Sequence, residues 1–119
     1  MEYQTGDIIT AKVHGKPYNH VAIIVVRNAE TFIYHNTPAN LNEFGGSIIK
    51  DTVENFTKTR TINKVVHTAL TADFIESQVL EMKTKKFNLI HFNCEHFVYG
   101  LTGNAHSPQM QLLYINSSL

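Results

Sequence analysis

The chain has a single cysteine, no net charge, no basic run and no long apolar stretch. Each shortage excludes something. One cysteine rules out an intramolecular disulfide, so the expected compartment is a reducing one, the cytoplasm. Ten basic residues balance ten acidic ones, so neither nucleic acid nor an anionic membrane surface is implied as a partner. No segment approaches the roughly 18–20 apolar residues that cross a bilayer, and the start does not read as a signal peptide. No stable membrane anchor is therefore expected. Internal repeats, linkers, phosphate-binding glycine loops and serine elbows are also missing. With 119 residues, 43% of them hydrophobic, the expectation is a single domain spanning 1–119 with one core.

What is there centres on the stretch from Phe87 to Val98, which holds the lone cysteine. Asn93 is a good N-cap, because its side-chain oxygen can accept from the first free N–H groups of a helix. After it, Cys94, Phe97, Val98 and Leu101 recur on one helical face, and Gly103 supplies a stop. A thiol at a helix start is pulled toward thiolate. A helix end contributes roughly 0.3–1 kcal/mol when exposed and up to ~2 when partly buried. At about 1.36 kcal/mol per pKa unit, that lowers a thiol by about one unit. A reactive Cys94 then needs a second partner, and a histidine is the natural one.

Ahead of it the chain reads as strands. Gly6-Asp7 punctuates the start, Ile8 to Val13 forms a strand, and Gly15-Lys16-Pro17 breaks it. His20 to Val26 is the strongest strand signal, apolar enough for burial on both faces. A turn within Arg27–Glu30 leads to a returning strand, Thr31 to His35. An even loop there sets Ala22 opposite His35 and puts His20 and His35 on one face as diagonal neighbours, roughly 7–8 Å apart. An odd loop or a bulge would turn one of them away. Asn36 to Gly46 reads as a loop that shapes a cleft. Ser47–Lys50 reads as a short strand, Val53–Phe56 as a helical turn and Thr59–Thr68 as another strand. An amphipathic helix from Thr71 or Asp73 ends in Lys83, Lys85 and Lys86, charges suited to its dipole. Met110 to Ile115 reads as a short apolar tail.

A cysteine nucleophile needs a base and a group that orients the base. Cys94, His20 and His35 have the right types for the three roles. The bland alternative is a buried cysteine acting as a small hydrophobe. With seven histidines, two can lie near a cysteine by chance. His96 stands about 200° around the helix from Cys94 and points away from it. The direction of His91 is open, and His14, His67 and His106 fit surface or loop positions. A metal site from His91, Cys94 and His96 has no second ligand cluster, so no metal or cofactor is expected.

Asn93-Cys94-Glu95-His96-Phe97-Val98 resembles the signature of the lecithin:retinol acyltransferase-like family. Gly6-Asp7-Ile8-Ile9 is similar to that family's opening motif, and His20-Val21-Ala22-Ile23 to its histidine box. Tyr34-His35-Asn36-Thr37-Pro38 resembles its second histidine with the loop that follows. The resemblance runs from Gly6 to Ser107. Similar motifs occur in non-structural proteins of some picornaviruses and in bacterial relatives. The resemblance implies a circularly permuted NlpC/P60-type, papain-like α+β fold with an antiparallel sheet packed against the cysteine helix. It implies Cys94 as nucleophile, His20 as base and acid, and His35 as the orienting group. Val21 stands where the family typically has tryptophan, and the hairpin between the histidines is longer than usual.

The expected function is a thiol hydrolase or acyltransferase acting on an ester or amide acyl substrate, lipids among them, through a thioester. The Cys94 N–H at the Asn93 cap would hold the oxyanion. Two alternatives are a catalytically silent binding module with a protein partner, and a cysteine peptidase or isopeptidase.

Overall fold

The computed structural model describes residues 2–37, 47–82 and 93–103. Five strands form one antiparallel sheet: β1 Ile8–Val13, β2 Asn19–Arg27, β3 Glu30–Thr37, β4 Ser47–Thr52 and β5 Arg60–Val66. Their spatial order is β4-β3-β2-β1-β5. Three helices accompany them: α1 Val53–Phe56, α2 Ala72–Met82 and α3 Cys94–Gly100. The fold is α+β, and among the described residues no helix is long and apolar enough to cross a membrane. The loop expected up to Gly46 from Pro38 onward, Lys83, Lys85, Lys86, His91, His106 and the tail Met110–Ile115 lie outside the described residues.

The hairpin sets the register of everything else. Arg27 pairs with Glu30, so the turn is the two-residue Asn28-Ala29 loop. Both turn residues have positive φ, 52° and 64°, the backbone of a turn whose twist matches the strands it joins. Pairing then runs Val26–Thr31, Val25–Phe32, Ile24–Ile33 and Ile23–Tyr34, where the ladder between β2 and β3 ends. Both strands continue beyond that point, β2 back to Asn19 and β3 on to Thr37. On the outer side β3 stays paired with β4, His35 facing Ile49 and Ile33 facing Asp51. The two central strands therefore part at the end that carries the histidines.

Side chains alternate across the sheet, and the alternation makes two cores. Ile9, Ala11, Ala22, Ile24 and Ile33 pack with Phe56 of α1 on one face. Ile8, Val21, Ile23, Val25 and Tyr34 pack on the other with Ile75 of α2 and with Cys94, Phe97 and Val98 of α3. Residues His20 to Val25 are all buried, as expected for a strand covered on both faces. Polar contacts fix α2 in place. Arg27 bonds Asp73 at 2.7 Å and also Glu76, and the Tyr34 hydroxyl donates to Glu76 at 2.9 Å. Gly6 has φ +94°, and a Cβ there would lie 2.7 Å from the Thr68 carbonyl oxygen, so only glycine fits where the N-terminal turn meets the segment after β5.

Candidate functional site

His20 and His35 project from the Phe56 face, at the parted end of β2 and β3. Their rings meet edge to face, 4.9 Å between centroids, and both pack on Phe56, at 5.9 and 5.1 Å. His20 Nε2 lies 2.8 Å from His35 Nδ1, and His35 Nε2 lies 3.2 Å from Asp51 Oδ2. Asp51 is held in turn: its Oδ1 accepts from the Thr52 N–H at 3.1 Å and from the Asn55 amide at 2.6 Å. The chain His20–His35–Asp51 thus runs across three strands and ends on the cap of α1.

Electrostatics fixes where the protons sit. Burial works to raise the Asp51 pKa, but the Asn55 and His35 bonds outweigh it, and the carboxylate stays below its usual range. Burial, with the Arg60 charge adding to it, lowers His35 to about 4 against a pull upward from Asp51. Burial, then His35 and Arg60, hold His20 well below 6.5. Both imidazoles are neutral at pH 7. An ionised carboxylate only accepts, so His35 carries its proton on Nε2 and donates it to Asp51. His35 Nδ1 is then an acceptor, and His20 must donate from Nε2. That leaves the lone pair of His20 on Nδ1, the form a general base requires.

Cys94 comes from the other core. Asn93 is the N-cap of α3, its side chain accepting from Glu95 N at 2.9 Å and His96 N at 3.1 Å. His96 completes a capping box, its Nδ1 accepting from Asn93 N at 3.1 Å. This gives His96 a structural role at the start of the helix. Asn36 of β3 donates its amide to Asn93 O at 3.2 Å. Ile24 N bonds Asp7 O, toward the β1 side. Val21 is an odd number of residues from it, so its N–H points to the β3 side, just past the end of that ladder. This N–H acts on the Cys94 sulfur, favouring its thiolate. The start of α3 is thus wedged into the parting of β2 and β3, with sulfur against the residue next to His20.

One sequence-based expectation is corrected here. The helix start was expected to lower the Cys94 pKa by about one unit. Burial instead pushes it up to about 11, with Glu95 adding to the rise, while the Val21, Glu95 and Cys94 N–H groups oppose it. The side chain is 8% exposed, and desolvation outweighs the dipole. At rest the site holds a neutral thiol and neutral imidazoles. Among the hydrogen bonds of the described residues, His20 is joined to His35 and not to Cys94.

Two residues of the cluster escaped the sequence reading. Asp51 lies one residue beyond the expected strand Ser47–Lys50; an acid closely following the β-branched Ile48-Ile49 pair was the available signal. Arg60 opens β5 opposite Val13, its guanidinium 4.7 Å above the Phe56 ring and its Nη1 donating to Phe56 O at 3.3 Å. Its Nε is buried with no hydrogen-bond partner among the described residues. Leaving such a donor unpaired costs about 1–3 kcal/mol.

Of the other histidines, His14 is exposed and bonds Thr61 Oγ1 at 2.8 Å, and exposed His67 bonds Asp7 at 2.7 Å. Among the described residues no group of His, Cys, Asp and Glu is disposed to hold a metal. A cavity of about 490 Å³, lined by residues including Tyr3, Val26 and Thr31, opens at the turn end of the hairpin, away from the thiol. Compared with protein-family models, with curated proteins and with solved structures, the chain matches none.

Proposed function

We propose that this chain is a thiol hydrolase or acyltransferase acting on ester or amide acyl groups, with the permuted papain-like architecture that its motifs resemble. The observation that carries the reading is the proton chain His20–His35–Asp51, which leaves His20 Nδ1 free to act as a base, on the residue next to Val21, whose N–H acts on the Cys94 sulfur. In the reaction, Sγ attacks the acyl carbonyl carbon while its proton passes to His20. Because thiol and imidazole are both neutral at rest, the transfer accompanies attack rather than preceding it. The tetrahedral oxyanion takes the Cys94 N–H as a donor. His20, now protonated, gives its proton to the departing alcohol or amine, and a thioester on Cys94 remains. Water or an acceptor alcohol or amine, deprotonated by His20, then releases the acyl group and regenerates the thiol. Substrates of this class include acylated lipids and, by the same steps on an amide, peptide or isopeptide bonds.

Intact mass spectrometry after exposure to an activated ester tests this. The expected result is a single acyl adduct on Cys94 at neutral pH that is slowed roughly 10²–10⁴-fold in His20→Ala. No adduct, or one formed equally fast in the variant, refutes the reading.

One observation favours a second reading. Cys94 is desolvated, with its pKa near 11, and among the described residues backbone N–H groups rather than His20 act on its sulfur. Those are the properties of an inert core cysteine in a binding module that engages a protein partner. In that case Cys94→Ala leaves partner binding intact, and the ester probe finds no thiol.

A further inference from the structure

Arg60 is a cation on the histidine face, and among the described residues no ion pair uses its charge. Its single hydrogen bond among the described residues is the one from Nη1 to Phe56 O. The ion pairs of the described residues involve Arg27, His35 and His67, not Arg60. Its Nε is buried without an acceptor among the described residues. Asp51 is its nearest acidic neighbour electrostatically, but both Asp51 oxygens already serve His35, Thr52 and Asn55. Cys94 and Tyr18 are within electrostatic reach of the same guanidinium.

A purely structural role would be to clamp α1 against β5. The stacking over Phe56 and the Nη1 bond already accomplish that, and neither requires the Nε side of the fork. Nε–H and the adjacent Nη2–H form the edge that binds a carboxylate or phosphate through two parallel hydrogen bonds. A clamp alone gives no reason to leave the Nε of this edge unsatisfied among the described residues.

We propose that Arg60 binds an anionic group, carboxylate or phosphate, of the acyl substrate, so that the site prefers substrates with negative charge close to the scissile carbonyl. The word substrate rests on the reading of Cys94 as nucleophile; the anion site itself does not. Arg60 also helps keep both imidazoles neutral, and a bound anion offsets that field just as His20 must accept a proton. The anion would thus strengthen the base when substrate is present.

The test separates the two claims by using Cys94→Ala protein, in which no turnover occurs. The Arg60 Nε–H and the histidine ring signals are followed by NMR during titration with inorganic phosphate and, separately, with acetate, at constant ionic strength. The expected result is a saturable shift of the Arg60 Nε–H by at least one anion, the stronger one showing whether the site suits a tetrahedral phosphate or a planar carboxylate. The accompanying histidine shifts should weaken at least tenfold in apparent Kd in Arg60→Gln and less in Arg60→Lys, which keeps the charge and supplies a second variant if the first folds poorly. An Nε–H that neither anion moves, or histidine shifts unchanged in Arg60→Gln, overturns the proposal. Saturable binding together with a Cys94 that never acylates in the unmodified chain keeps the anion site and removes the enzyme.

Discussion

The two faces of the sheet are built on opposite terms. The α3 face is an ordinary apolar core into which a cysteine has been sunk, joined to Val21, Ile23, Phe97 and Val98. The Phe56 face has an apolar floor but carries His20, His35 and Asp51, all buried, with Arg60 above Phe56. Among the described residues neither face alone contains a nucleophile with a base. Among the described residues they approach each other where β2 and β3 part, because there the Val21 N–H is free of the ladder and acts on the sulfur. The parting of two strands, rather than either core, is what makes a site.

Removing the floor of either face should have the largest effect. Phe56 and Phe97 are fully buried, and each change to alanine should cost about 3–5 kcal/mol in urea unfolding. The consequences should differ by face. Phe56→Ala admits water to the imidazoles and raises their pKa values toward 6.5, whereas Phe97→Ala loosens the bed of Cys94 and speeds its alkylation. If Phe97→Ala moves the histidine titration as far as Phe56→Ala does, the faces are not independent.

The faces should also fail at opposite ends of the pH scale. His35 titrates near 6.5 when unfolded and about 4 when folded. Between those values the unfolded chain binds the extra proton, so stability is full above pH 6.5 and falls as pH drops toward 4. The loss is on the order of 3 kcal/mol, and His20 adds to it. Cys94 runs the other way. Its pKa is 9.0 unfolded and about 11 folded, so stability is full below pH 9 and falls as pH rises to 11, again on the order of 3 kcal/mol. Stability curves against pH check both limbs: Cys94→Ala should remove the contribution of this thiol to the alkaline limb and leave the acid one.

Asp51→Asn tests how far the proton chain reaches. The neutral amide no longer dictates which His35 nitrogen is protonated, so acylation of Cys94 should slow roughly 10–100-fold, part of the 10²–10⁴ that a general base supplies. Unchanged kinetics would confine Asp51 to capping α1. The smallest effect lies far from both faces. Ala29 sits at φ 64°, where a side chain is strained, and Ala29→Gly should stabilise the hairpin by about 0.5–1 kcal/mol in thermal melting without altering Cys94 reactivity.

Much of the fold was legible because its signals are local. Periodicity and punctuation gave β1 and α1 to the residue and β2 within one residue at each end. The Asn28-Ala29 turn made the diagonal contact of His20 with His35 a matter of counting. The N-cap of α3 could be read from Asn93 alone, although His96 as its capping-box partner could not, since glutamate or glutamine usually takes that place. What escaped depends on long-range geometry. Asp51 acquires its partner only through the β3–β4 register, and Arg60 only because β5 returns beside β1. The thiol pKa was misjudged for the same reason: a helix start is written in the sequence, but the depth at which it is buried is set by the strands it is wedged between.

The pH dependence of Cys94 alkylation by iodoacetamide, compared between the unmodified chain and His20→Ala, tests most directly whether base and nucleophile meet across that parting. With His20 present, the rate should rise as the imidazole loses its proton below pH 6.5 and hold a plateau through neutrality. In His20→Ala the plateau should vanish, leaving a rate that climbs only as the thiol itself ionises toward pH 11. Two superimposable profiles would contradict the account and leave Cys94 a core residue.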